Sequence, residues 1–77
     1  MNSLGYQFIR KGDIPSAIEI FKINVELYPN SSNVYDSLGD AYLKAKDTTN
    51  AEINYRKALG INPENRNAKK NLERITK

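Results

Sequence analysis

Three observations predict an all-α fold of stacked antiparallel helix hairpins, an α-solenoid. The first is an internal repeat. Leu4, Gly5, Phe8, Asp13, Ala17, Phe21 and Pro29 recur 34 residues later as Leu38, Gly39, Tyr42, Asp47, Ala51, Tyr55 and Pro63. A fixed period of this size marks a supersecondary unit that stacks on its neighbour to bury its apolar face. The second is the spacing inside each copy. Tyr35, Leu38 and Tyr42 stand three and four apart, as do Ala51, Tyr55 and Ala58, so each set shares one face of a helix. The third is punctuation: Gly12, Asp13, Asp47, Pro29 and Pro63 are turn and cap residues, and they fall between the periodic runs.

In chain order, residues 2–11 form the first helix, with Leu4, Phe8 and Ile9 apolar and Tyr6 on a neighbouring face. Gly12 ends it, Asp13 caps the next, and Pro15 lies in that helix's first turn, where a proline is tolerated. The second helix runs to about Tyr28. Its Ile18, Ile20 and Ile23 widen the apolar surface beyond one stripe, as in a helix covered on two sides. Pro29-Asn30-Ser31-Ser32 turns the chain and supplies a serine cap for a third helix, about Asn33 to Ala45. Gly39 on that helix lets the next helix approach closely, which offsets its helix penalty of roughly 1 kcal/mol. Asp47 caps a fourth helix, about Thr48 to Ile61, and Asn62-Pro63-Glu64-Asn65 repeats the turn. The last helix, about Arg66 to Thr76, places Ala68, Leu72 and Ile75 on one face; Glu73 replaces the repeat glycine, so this is a solvating end helix. Asn24 stands where the second copy has Ala58. Its amide is either bonded in the junction between units or left wet by a rotation of the helix.

The repeated residues carry a resemblance. Tyr35-x-x-Leu38-Gly39-x-x-Tyr42, Ala51-x-x-x-Tyr55 and Pro63, at a period of 34, resemble the tetratricopeptide repeat, with Tyr35 in place of its tryptophan. Met1 falls at that place in the first copy, so the aromatic is missing there. The resemblance implies two repeats, about 1–31 and 32–65, plus a capping helix, about 66–77, in one domain of 1–77. It also implies a concave surface lined by the first helix of each pair. In these terms the partner-binding positions are Asn2, Tyr6, Ile9 and Arg10; then Asn33, Asp36, Asp40, Leu43 and Lys44; then Asn67, Lys70, Asn71 and Arg74. Asp36 and Asp40 are expected on an exposed face, flanked by cations. Some members of the family clamp the terminal carboxylate of chaperones with a Lys, Asn, Asn, Lys, Arg set. Here the corresponding places hold Asn2, Tyr6, Ser37, Asn67 and Asn71, so that ligand is disfavoured. A weaker resemblance links the stretches 24–29 and 33–39 to repeat modules at the C-terminal end of bacterial serine hydrolases of the β-lactamase and esterase type.

Composition narrows the chemistry. The 77 residues are 39% apolar and 27% charged, ordinary for a helical domain with solvated outer faces. No apolar run reaches the roughly 18 residues of a membrane span and no secretory leader is visible, so a complete chain would be cytoplasmic. There is no cysteine and no histidine, which removes disulfides, thiolate metal sites and the commonest general base. No cofactor or metal is expected, and Asp36 and Asp40 alone do not make an acid–base pair. The net charge of +3 lies wholly in residues 64–77, where five basic groups oppose two acidic ones. A nucleic-acid contact is the functional reading of that tail; a solvated capping helix is the plainer one. The expectation is therefore a non-catalytic module that presents a groove to a protein or peptide. The rival from another class is a structural role, either self-association or packing against a parent hydrolase.

Overall fold

The repeat residues build five helices, and a computed structural model describes residues 3–76 of the chain. These are α1 (Ser3–Lys11), α2 (Ile14–Leu27), α3 (Ser32–Lys44), α4 (Thr48–Ile61) and α5 (Arg66–Thr76). Each helix packs on the next in the chain, and α5 also touches α3, so the array is a row of adjacent antiparallel pairs. The all-α hairpin fold expected from the sequence is the one observed.

The two hairpin turns are copies in hydrogen-bond detail. Gly12 N–H donates to Ile9 C=O at 3.0 Å and Asp13 N–H to Phe8 C=O at 2.9 Å. Thirty-four positions on, Lys46 N–H donates to Leu43 C=O at 3.0 Å and Asp47 N–H to Tyr42 C=O at 2.9 Å. This double closure satisfies carbonyls that the helix end leaves open, and it demands a left-handed residue after the helix. Gly12 supplies it at φ 85°; Lys46 supplies it at φ 64° without the freedom of a glycine. Asp13 and Asp47 cap the following helices, accepting from the backbone N–H of Ser16 at 3.3 Å and of Asn50 at 3.2 Å.

Two aromatic plugs hold the hairpins together. Phe21 and Tyr55, at equivalent positions, are fully buried. Each ring lies against the glycine of its partner helix: a Cβ built on Gly39 would stand 2.8 Å from the Tyr55 ring, and one on Gly5 would overlap the ring of Phe21. The glycines thus make room for a ring rather than for a second backbone.

Helix α3 departs from its expected single stripe. Leu38 and Ala41 turn back to join Ala17 and Phe21, whereas Val34 and Tyr35 turn forward to join Ala51, Tyr55, Ala58 and Ala68. A helix with neighbours on two sides needs two apolar faces, and every residue from Val34 to Gly39 is buried. Helix α2 is not covered as widely: Ile23 and Leu27 are exposed.

The expected serine cap on α3 is also absent. Ser31 stands at the cap position with no side-chain bond. Buried Ser32 instead donates to the Ala58 carbonyl at 2.8 Å and accepts from the Asn65 amide at 2.8 Å. Asn65 caps α5 through Ala68 N–H at 3.1 Å. One chain of polar contacts therefore ties the starts of α3 and α5 to the end of α4. Asn24 is buried at the junction, which excludes the wet alternative.

Candidate functional site: a groove floored by a hydrogen-bonded carboxylate

The heptad-like spacing of Asp36, Asp40 and Leu43 on α3 directs these side chains toward the side where α1 and α5 also lie. Asp40 is the centre of what they form. Its Oδ2 accepts from the Tyr6 hydroxyl of α1 at 2.8 Å, and its Oδ1 accepts from the Tyr55 hydroxyl of α4 at 2.5 Å. Amide groups of α5 complete the set: Asn71 lies 3.4 Å from Oδ1, and Asn67 lies 3.4 Å from the same oxygen. Asn67 also donates to Asp36 Oδ1, and Asn71 donates to the Asn67 side-chain oxygen at 3.2 Å. Ser37 Oγ lies 3.2 Å from the Tyr6 oxygen. A phenol has one proton, and the carboxylate is the stronger acceptor, so Ser37 is the donor in that contact.

The electrostatics follow from burial. Burial, with Asp40 and Asp36 adding their negative charge, pushes the Tyr6 phenol well above its ordinary value, while the Ser37 contact acts in the opposite sense. Burial and the bond to Asp40 push Tyr55 up in the same way. Both phenols therefore keep their protons and remain donors. Asp36, buried beside Asp40, has its carboxyl raised, with the Asn67 amide opposing the shift.

Beside this network opens a groove of about 650 Å³, lined by Tyr6 and Ile9 of α1, Asp40, Leu43 and Lys44 of α3, Thr48 of α4, and Asn71, Arg74 and Ile75 of α5. Seven of the residues expected at the binding surface thus line one opening. Asp36 and Asn67 do not line it; they belong to the adjoining hydrogen-bonded network, in which Asn67 itself is exposed. Arg10, Asn33 and Lys70 are exposed elsewhere, and Asn2 lies outside the described residues. The expectation that Asp36 and Asp40 sit exposed among cations is corrected. Asp36 is buried, and the partners of both acids are neutral hydroxyl and amide groups. Sequence reasoning missed Thr48 and Ile75 as lining residues. It also missed the Tyr55 hydroxyl, because a tyrosine at a phenylalanine position reads as a ring that fills space; its extra oxygen was the available signal.

Comparison with known proteins bears on these two hairpins. The family model described as the tetratricopeptide repeat matches residues 32–65. The chain is a tetratricopeptide repeat protein. Its relatives include the chloroplastic tetratricopeptide repeat domain-containing protein PYG7 of Arabidopsis thaliana, 31% identical over 68 residues. That match covers 88% of this chain and 23% of the relative, so the chain spans under a quarter of the relative's length. Tetratricopeptide repeat modules act in general as protein–protein interaction domains. In this one, of the five places that correspond to the chaperone-tail clamp, Tyr6, Asn67 and Asn71 donate to Asp36 or Asp40, and Ser37 meets the Tyr6 hydroxyl.

Proposed function

We propose that this chain is a non-catalytic binding module that receives a segment of a partner protein in the groove between α1, α3 and α5. The observation that carries the reading is the juxtaposition of Ile9, Leu43 and Ile75, one apolar side chain from each of the three helices, all partly exposed around one opening. An apolar strip bordered by polar groups, on pre-formed helices, is the common form of a peptide groove. The acids beneath it support binding rather than catalysis. Each carboxylate is held by donors that keep their protons, an arrangement that fixes charge in place. Peptides selected against the domain from a random library should shift backbone-amide resonances of α1, α3 and α5. Leu43→Ser, shown folded by circular dichroism, should lose them. Shifts confined to the outer faces of α2 and α4 would discard this reading.

One observation favours a second reading, self-association. Leu38 is 5% exposed because α2 covers it, whereas its equivalent Leu4 is 48% exposed. Ile23, Leu27 and Ile53 are further uncovered apolar side chains. A second copy that covered Leu4 would give the first hairpin the neighbour that the second one already has.

A further inference from the structure

The charge of the partner segment is legible in the same groove. We propose that the segment is acidic, with carboxylate side chains next to aliphatic ones, and that Lys44 and Arg74 receive it; this rests on the groove reading above. Lys44 lies in the last turn of α3 and Arg74 in the last turn of α5, and both line the opening beside Leu43 and Ile75. Among the described residues neither is ion-paired: the salt bridges are Lys22–Glu19 and Arg56–Glu52, both on other helices. Cations suit helix C-termini, where the macrodipole is negative. That preference accounts for a basic residue on each helix, but not for two of them meeting at one apolar opening.

Asp40 decides the sign. It is the only acid among the groove's lining residues, and a carboxylate accepts about four hydrogen bonds. Tyr6, Tyr55, Asn67 and Asn71 supply four donors. Oδ1 takes three of these and Oδ2 takes the Tyr6 hydroxyl, so the carboxylate is held within the fold; it keeps its single charge, and the two cations outnumber it. The groups facing an arriving segment are the Lys44 ammonium, the Arg74 guanidinium and the apolar strip, with the one carboxylate set among its internal donors. Complementary charge at such a rim sets partner choice and association rate more than raw affinity. An opening of about 650 Å³ has room for a few side chains, enough to hold an aliphatic residue and an acidic neighbour together.

The test uses three short blocked peptides rich in leucine, identical except that one carries glutamate, one glutamine and one lysine at the alternate positions. Fluorescence polarisation at low and high salt measures binding, and amide resonances locate it. The acidic peptide should bind about tenfold more tightly than its glutamine twin, and salt should erase the difference. Lys44→Glu combined with Arg74→Glu, both on exposed positions, should abolish that preference, so that the acidic peptide binds no more tightly than its glutamine twin. If the glutamine or lysine peptide binds in the groove as tightly as the acidic one, the charge assignment fails and the groove stands. If none of the three shifts a groove resonance, both readings fail. A single-stranded RNA that binds through Lys44 and Arg74 more tightly than the acidic peptide overturns the protein partner in favour of a nucleic acid.

Discussion

At the scale of the residue, Gly39 and Tyr55 form one packing decision. With the Tyr55 ring fully buried and its hydroxyl tied to Asp40, the ring has nowhere to retreat from a new side chain. Gly39→Leu gains roughly 1 kcal/mol in helix propensity but overpacks the contact at a cost of about 1–3 kcal/mol or more. A net loss in urea melts is expected, and coincident wild-type and mutant curves would remove the ring-seat argument. Lys46 tests the opposite case. Its φ of 64° costs a residue with a Cβ about 1–2 kcal/mol, and its side chain is exposed. Lys46→Gly should therefore raise stability by about 1 kcal/mol, to be read from the same melts. The phenols predict an alkaline limit. Both have folded-state values raised above the 10.0 of a free tyrosine, so the unfolded chain releases these protons first as pH rises. Their stabilisation is complete below pH 10 and is lost above it. Tyr55→Phe should cost roughly 1–3 kcal/mol at neutral pH and flatten the alkaline decline, as measured by denaturant midpoints across the pH range.

At the scale of the element, α3 is the helix on which both cores depend, because its two sides face different neighbours. The spacing of Tyr35, Leu38 and Tyr42 is compatible with one stripe or two, and the number of neighbours decides which. Helix α5 is simpler. Ala68, Leu72 and Ile75 pack inward on the core around Tyr55, and Lys69 and Lys70 are exposed. Leu72→Asp buries a charge in that seam and should cost about 2–4 kcal/mol, detected as a lowered thermal midpoint. Lys69→Glu with Lys70→Glu should leave the midpoint within about 0.5 kcal/mol of wild type, the ordinary range for surface changes. A large shift from the charge pair would show that the basic tail has a structural partner.

At the scale of the whole molecule, the array has unequal ends. The α5 end is closed by a helix whose outer face is polar, and the α1 end leaves Leu4 half exposed. Arrays of this kind gain stability from each added neighbour, and about three repeats are usual. Sedimentation over a hundredfold range of concentration should show a rise in mass above that of the monomer, and Leu4→Ser should reduce it. A monomer mass throughout removes the self-association reading. Exposed apolar patches of a few hundred Å² are near the limit that soluble monomers tolerate.

The sequence by itself determined the helices, their turns and their order. Those follow from local rules: a period of 3.6, a cap at Asp13 and at Asp47, a glycine after the first helix, and a 34-residue echo; the left-handed Lys46 was not legible. Seven of the groove's lining residues are among the positions that the resemblance to the tetratricopeptide repeat implied. Tertiary structure alone decided which polar groups meet. Asp40 reads as an exposed acid on its own helix; it becomes the acceptor for α1, α4 and α5 because Tyr6, Tyr55 and Asn71 arrive from 34, 15 and 31 positions away. The same holds for Ser32, which reads as a turn residue and becomes a link between Asn65 and Ala58. Helical periodicity says which way a side chain points along its own helix, and nothing about which donor a second helix brings to that point. Those pairings are set by packing distances across the stack, and no local pattern in the chain encodes them.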